Sequence, residues 1–118
     1  MVTTLIVKRG NEMRLYHNPR CSKSREAFAI LVDRGIEFDE YRYLDLGIAS
    51  EDFEILLELD NVIRIEDVAK DIIYDSENKG DMKKLLIDNA KLLQRPILIH
   101  NGIAVIGRPP QEILTLLP

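Results

Sequence analysis

The chain has 118 residues, of which 46% are hydrophobic and 31% are charged, a composition typical of one globular domain. Twenty acidic against 16 basic residues give a formal net charge of −4, which excludes binding to nucleic acid or to a membrane through bulk positive charge. We therefore expect a single domain over residues 1–118, with neither nucleic acid nor a membrane among its partners. Because no stretch reaches the ~20 apolar residues of a membrane span and residues 1–9 are too short and charged for a signal peptide, we expect a cytoplasmic location.

Cysteine is the most informative residue type, because the chain contains only Cys21. A single thiol cannot form an internal disulfide, and with His17 and His100 it makes too few ligands for a structural zinc site. We expect no metal and no bound cofactor. Any redox cycle at this thiol would need a second thiol from another molecule.

The first third of the chain predicts a strand–helix–strand unit. Residues 1–7 are apolar and β-branched, and they predict a strand that pairs with a second strand at 13–16. Residues 22–34 place their apolar side chains on one side of a helix, and Gly35 suits the position after its end. The near-alternation at 36–44 predicts a further strand, parallel to the one before the helix.

The remainder predicts helices followed by a hairpin. Ser50 could cap a helix over 51–59, and two more helical stretches are predicted near 64–73 and 81–93. The apolar segments 96–99 and 103–106 flank Asn101-Gly102, which is the strongest short signal for an antiparallel hairpin. A closing helix is predicted from Pro110 to near Leu117. This order of elements predicts an α/β fold with a mixed sheet covered by helices.

Cys21 lies between the predicted strand at 13–16 and the helix that begins near Ser22. The backbone N–H groups at that helix start, together with the helix dipole, would stabilise a thiolate and lower the pKa of Cys21. The backbone N–H groups of Ser22, Lys23 and Ser24 are also candidates to bind an anionic substrate.

The charges around this cysteine favour the same interpretation. Residues 17–25 carry Arg20, Lys23 and Arg25 and no acid, a local excess of +3 within a chain of net charge −4. Cations at a helix N-terminus are unfavourable unless an anion lies there. An isolated cysteine is more often a small core residue, but the polar and turn-forming neighbours of Cys21 disfavour that alternative.

Two arginines flank the predicted hairpin. Arg95 precedes one strand and Arg108 follows the other, so an antiparallel pairing would bring them to the same end of the sheet. Guanidinium groups match the geometry of tetrahedral oxyanions. Taken singly, each arginine is more often an ordinary surface residue.

Three segments together resemble a known family. Residues 15–25 (LYHNPRCSKSR), 94–97 (QRPI) and 106–110 (IGRPP) are similar, in order and spacing, to three motifs of the glutaredoxin-linked arsenate reductases. The resemblance extends over about residues 13–117 and implies a thioredoxin-like fold, in which a βαβ unit and a ββα unit are separated by a helical insertion at 50–93. It also implies an amino-terminal extension at 1–9 and a cis peptide bond between Arg95 and Pro96.

The resemblance assigns roles to individual residues. Cys21 would be the nucleophile that attacks arsenate, Arg95 and Arg108 would bind the oxyanion, and His17 would help to set the pKa of the cysteine. Glutathione, the reducing cosubstrate, would attack the adduct, and glutaredoxin would reduce the product so that arsenite is released. This scheme agrees with the need for an external thiol that follows from the single cysteine.

Two alternatives remain open at this point. The family's third arginine has no counterpart, because Val68 stands at its place and Arg64 lies nearby. The chain could therefore be a glutathione-dependent thiol transferase with little arsenate activity. It could also be a non-enzymatic regulator that binds a protein such as RNA polymerase, although Ser24 replaces the second cysteine of the Cys-X-X-Cys switch in such regulators.

Overall fold

The computed structural model describes residues 13–117, so the strand predicted at 1–7 lies outside them. The chain divides into two compact units. Among the described residues, the first combines 13–41 with 95–117, and the second is formed by Arg42–Gln94. The second unit contains the whole of the predicted insertion at 50–93.

A four-stranded mixed sheet forms the first unit. Its strands are β1 (Met13–Tyr16), β2 (Asp39–Tyr41), β3 (Ile97–His100) and β4 (Ile103–Ile106), and their order across the sheet is β2-β1-β3-β4. Strand β2 runs parallel to β1, whereas β3 pairs antiparallel with both β1 and β4. This confirms the predicted α/β class and the parallel strand–helix–strand unit.

Helix α1 (Ser22–Asp33) connects β1 to β2 and ends as its sequence predicts. Gly35 adopts a φ of +68°, which is accessible to glycine without strain. The Gly35 N–H donates to the carbonyl of Val32 at 3.0 Å, and the Ile36 N–H donates to that of Leu31 at 3.1 Å. These two bonds form a Schellman motif, which satisfies carbonyls at the helix end.

The strand predicted at 36–44 is shorter in the structure. Tyr41 pairs with Tyr16, the last residue of β1, so the following residues have no partner strand on which to continue. The chain instead forms the helical turn α2 (Tyr43–Leu46), which ends at Gly47 with a φ of +77°.

The predicted hairpin is confirmed. Asn101 and Gly102 have φ values of +53° and +76°, as a type I′ turn between β3 and β4 requires. Ile97 lies opposite Ile106, so Arg95 and Arg108 come to the same open end of the hairpin. The closing segment Pro110–Leu116 is helical, as predicted, but it has the tighter 3₁₀ geometry with Pro110 at its first position.

The core of this unit lies between one face of the sheet and two helices. Residues from β1, α1, β3 and the closing 3₁₀-helix pack together there. Its fully or almost fully buried members are Met13, Leu15, Ala27, Leu31, Leu98 and Ile113. Packing α1 against β1 in this way fixes the end of the strand beside the start of the helix.

The second unit is built from short pieces. A 3₁₀-helix at Ser50–Asp52 leads into α3 (Phe53–Leu56), and a second 3₁₀-helix covers Ile65–Asp67. Helix α4 (Lys79–Asp88) is followed by a third 3₁₀-helix at Ala90–Leu92.

Three helix predictions for this unit need correction. Ser50 does not cap a helix, because it is itself the first residue of a 3₁₀-helix whose N-cap residue is Ala49. The helix predicted at 64–73 stops early, since Val68 adopts extended backbone with φ −77° and ψ 131°. The one predicted at 81–93 breaks at Asn89, whose side chain accepts the Lys91 N–H and starts a new turn.

Helix α1, with 12 residues, is the longest helix between residues 13 and 117. In that range no helix combines the length and the apolar character needed to cross a membrane.

We predict that Leu31→Ala lowers the free energy of unfolding by about 2–5 kcal/mol, because Leu31 is fully buried and its truncation leaves a cavity. The neighbouring Val32→Ala is the matched control, since Val32 is 52% exposed and its loss should change stability by about 0.5 kcal/mol or less. Urea unfolding of both variants measures the difference. Equal destabilisation by the two substitutions would contradict the described packing of α1.

Candidate active site

Cys21 occupies the position immediately before α1. Its backbone is extended, with φ −95° and ψ 124°, and it is the N-cap residue of the helix. The Cys21 N–H donates to the carbonyl of Asn18 at 2.9 Å, and its own carbonyl accepts the Arg25 N–H at 3.0 Å. The thiol is partly exposed, so it is held at the helix start and remains accessible.

The environment of the thiol favours its ionised form. Partial burial raises the pKa of Cys21, but the backbone N–H groups of Ser24 and Lys23 bond to the sulfur and lower it. A hydrogen bond from the Arg95 side chain and the charge of Arg108 lower the pKa further. The balance is a pKa below the ordinary value, which is the property of a reactive thiolate nucleophile.

The two predicted arginines meet at this sulfur. The Arg108 Nη2 lies 3.7 Å from the Cys21 Sγ. The Nε of the same guanidinium donates to the backbone carbonyl of Arg95 at 2.8 Å, which fixes its orientation. The structure therefore brings Cys21, Arg95 and Arg108 together, although 87 residues separate the first from the last.

Close backbone packing holds the arginine-bearing segments. The Gly107 N–H donates to the carbonyl of Pro96 at 2.8 Å. A Cβ atom at Gly107 would lie only 2.9 Å from the Pro96 ring and 3.2 Å from Ile113, so a side chain there would push the segments apart. The Arg95–Pro96 peptide is cis, as predicted, and so is Arg108–Pro109, which the sequence analysis did not anticipate.

Ser24 has a second role that sequence reasoning missed. Its side chain is fully buried, and its Oγ accepts the Asn18 N–H at 3.1 Å. The Asn18 Oδ1 in turn accepts the Arg20 N–H at 3.0 Å, which closes a turn before the cysteine. The Ser24 hydroxyl thus holds the loop, while its N–H is directed to the sulfur. The Asn-Pro dipeptide was the only sequence signal for this turn.

The three local cations are not equivalent. The Arg25 Nη1 donates to the carbonyl of Pro19 at 3.0 Å, so this side chain braces the loop. Arg20 and Lys23 are exposed, as is Ser22 in the first turn of α1. Anion binding by the N–H groups of Ser22, Lys23 and Ser24 stays a prediction.

His17 is buried at the end of β1. Its Nε2 lies 3.7 Å from the Glu40 Oε2, and its ring stacks on Phe28 with the ring centroids 5.1 Å apart. The His17 N–H also donates to the carbonyl of Tyr41 at 2.9 Å. These contacts tie the ends of β1 and β2 to α1. The predicted effect of His17 on the pKa of Cys21 stays a prediction.

The second unit holds the two positions considered for a third arginine. Arg64 forms ion pairs with Asp67 at 2.8 Å and with Glu66 at 3.6 Å. The side chain of Val68 is apolar and carries no charge that could bind an anion. Between residues 13 and 117, no group of three or more His, Cys, Asp or Glu side chains could hold a metal ion.

A mixed sheet in which a cysteine at the start of the first helix lies beside a cis-proline segment is characteristic of a thioredoxin-like fold. The sequence model of the ArsC family matches residues 16–116. The chain therefore belongs to the ArsC family, which confirms the resemblance identified from the three motifs.

Individual relatives agree with this assignment. An arsenate reductase of Neisseria meningitidis serogroup A is 33% identical over 118 aligned residues, covering 90% of this chain and 98% of that protein. The structure of an arsenate reductase from Vibrio cholerae superposes with a TM-score of 0.76 at 29% identity, covering 91% of this chain and 98% of that one. The regulatory protein MgsR of Bacillus subtilis is 29% identical, covering 89% and 90% of the two chains.

We predict that Arg108→Gln raises the pKa of Cys21 towards the ~8.5 of a free thiol, because the substitution removes a positive charge 3.7 Å from the sulfur. The midpoint of the pH profile for alkylation by iodoacetamide should therefore move to higher pH, and alkylation at a pH below that midpoint should slow by about threefold or more. Arg34→Gln, at the other end of α1, is the control. An unchanged pH profile in Arg108→Gln would contradict the electrostatic role of this guanidinium.

Proposed function

We propose that this protein reduces arsenate, or a closely similar tetrahedral oxyanion, through a covalent adduct on Cys21. The observation that carries the proposal is the position of the Arg108 guanidinium, 3.7 Å from a thiolate whose pKa is lowered. A nucleophile and an oxyanion-binding group side by side are what attack on an anionic centre requires. Family membership and the similarity to two arsenate reductases support arsenate as the substrate.

The first step is a substitution at arsenic. The Cys21 thiolate attacks the As(V) atom of dihydrogen arsenate and forms an S–As bond. One As–O bond breaks, and its oxygen takes up a proton and leaves as water. The charges of Arg95 and Arg108 offset the repulsion between the anionic sulfur and the anionic substrate, which otherwise opposes this step.

The second step needs thiols from outside, because the chain has no second cysteine. Glutathione displaces another oxygen from arsenic as water and leaves arsenic bonded to two sulfurs. A glutaredoxin thiolate then attacks the glutathione sulfur, and the electron pair of that As–S bond stays on arsenic. Arsenic is thereby reduced from As(V) to As(III), while the two external thiols are oxidised to one mixed disulfide.

Release completes the cycle. Water hydrolyses the remaining S–As bond, arsenite departs, and the Cys21 thiolate is regenerated. A low pKa helps here as well as in the attack, because a more stable thiolate is a better leaving group. The N–H groups of Lys23 and Ser24 would therefore act at both ends of the cycle.

The test is arsenate reduction by the full chain with glutathione and glutaredoxin. Cys21→Ser should abolish turnover, since the hydroxyl is not ionised at neutral pH. Arg95→Ala and Arg108→Ala should each lower kcat/KM for arsenate by about tenfold or more, the scale of a lost charge-assisted contact. Arg34→Ala, which removes an exposed cation away from the sulfur, serves as the control and should keep full activity.

Two results would overturn this proposal. Arsenate reduction that persists in Cys21→Ser would remove the adduct mechanism. Absence of arsenate reduction in the unaltered protein, combined with rapid glutathione-dependent reduction of a mixed disulfide, would assign the chain as a thiol transferase. Replacing glutathione with a thiol-free reductant tests the cosubstrate separately, because turnover should then stop.

A second candidate is a regulator that acts by binding another protein. It is favoured by the 29% identity to the regulatory protein MgsR. The buried Ser24 leaves Cys21 without an internal disulfide partner, so such a regulator could not sense oxidation through a Cys-X-X-Cys pair. Co-purification with RNA polymerase from cell extract, in a protein that fails to reduce arsenate, would favour this candidate over the enzyme.

A further inference from the structure

A surface groove lies within the second unit, and it takes no part in the chemistry of Cys21. Its volume is about 350 Å³. One wall is the face of α4 that carries Asp81, Lys84, Leu85 and Asp88, and the other is formed by residues 67–69 and 72–74. The spacing of the α4 residues places them along one side of the helix, so the groove runs beside the helix axis.

The groove exposes large apolar side chains. Ile73 is 97% exposed and Ile72 is 43% exposed, although both line the groove. Val68, Leu85 and Leu92 complete an apolar lining. Neighbouring apolar side chains left in water are characteristic of surfaces that bind another molecule. An almost fully exposed isoleucine contributes little to the stability of the unit itself, so its presence favours a role in binding.

The charges at the groove indicate the kind of molecule. Three carboxylates line it, from Asp67, Asp81 and Asp88, against one amine, that of Lys84, and Asp67 is paired with Arg64 at 2.8 Å. Lys84 is already paired with Asp88 at 3.0 Å. The surrounding unit, residues 42–94, has thirteen acidic and seven basic residues, a formal charge of −6 within a chain of −4. A cationic molecule is therefore attracted to this surface, whereas nucleic acids and anionic membranes are repelled.

We propose that this groove binds an amphipathic, basic segment of a partner protein. Apolar side chains of that segment would enter between Ile72, Ile73 and Leu85, and its lysines or arginines would face the carboxylates at the rim. A helix laid into a groove with apolar anchors is a common mode of peptide recognition, and the open channel beside α4 suits it. The proposal is independent of arsenate reduction, because none of these residues contributes to the Cys21 site.

A pair of synthetic peptides tests the proposal on the full chain. The first is a fluorescein-labelled 14-residue peptide that forms a helix with leucines on one face and lysines on the other. In the second peptide every lysine is replaced by glutamate. Fluorescence anisotropy at low ionic strength should show binding of the leucine–lysine peptide at least about tenfold tighter than that of its glutamate counterpart. Equal affinity for the two peptides would overturn the proposal.

Matched substitutions separate the groove from general charge attraction. Ile73→Ser should weaken binding of the leucine–lysine peptide by about tenfold, the scale of a buried aliphatic anchor. Ile87→Ser should leave the affinity unchanged, because Ile87 lies on α4 and is 62% exposed but does not line the groove. Both variants keep the charge of the protein. Equal effects, or no effect of Ile73→Ser, would show that binding occurs elsewhere and would overturn the assignment.

A second copy of the chain is the competing occupant, and sedimentation equilibrium of the same variants distinguishes it. A monomer at micromolar concentration is the expected result. A dimer that Ile73→Ser dissociates would assign the groove to self-association and would overturn the proposal of a basic partner. Arsenate turnover measured alongside should be the same in Ile73→Ser as in the unaltered protein, so failure of the groove proposal leaves the proposed function intact.

Discussion

The hydrogen bonds that the first turn of α1 donates to the Cys21 sulfur are the interaction on which the rest of the site depends. Those N–H groups have no partner inside the helix, so a neighbouring anion is the natural acceptor. They reach the sulfur because Cys21 is extended and the next residue is already helical. The buried core cluster that contains Leu15 and Leu31 keeps the strand and the helix in that relation. Core packing and thiol chemistry are therefore linked through one short loop.

The arginines add what the helix start cannot supply, namely full positive charges beside the Cys21 sulfur. Arg108 is oriented by its bond to the carbonyl of Arg95, so the two residues act as a connected pair. The absence of a side chain at Gly107 lets their segments come together. Because both guanidinium groups act on the same sulfur, the effects of removing both arginines need not equal the sum of the single effects.

Elements governed by local chemistry could be predicted from the sequence. Helix α1 with its terminal Gly35 and the Asn101-Gly102 hairpin each depend on residues that are neighbours in the chain. The second unit could not be predicted equally well, because its short turns are set by contacts distant in sequence, such as the bridge between Ile63 and Leu93.

The site shows the same division between local and distant contacts. Cys21, Arg95 and Arg108 lie in motifs that can be recognised, and the structure brings them together. The hydrogen bond from the Asn18 N–H to the Ser24 Oγ depends on three-dimensional geometry that no sequence motif predicts.

The chain has one thiol, that of Cys21, and it is partly exposed. A thiol-selective alkylating reagent has one thiol to modify in each molecule, so the mass gained by a sample counts its accessible Cys21 thiols directly and makes the reagent an active-site titrant.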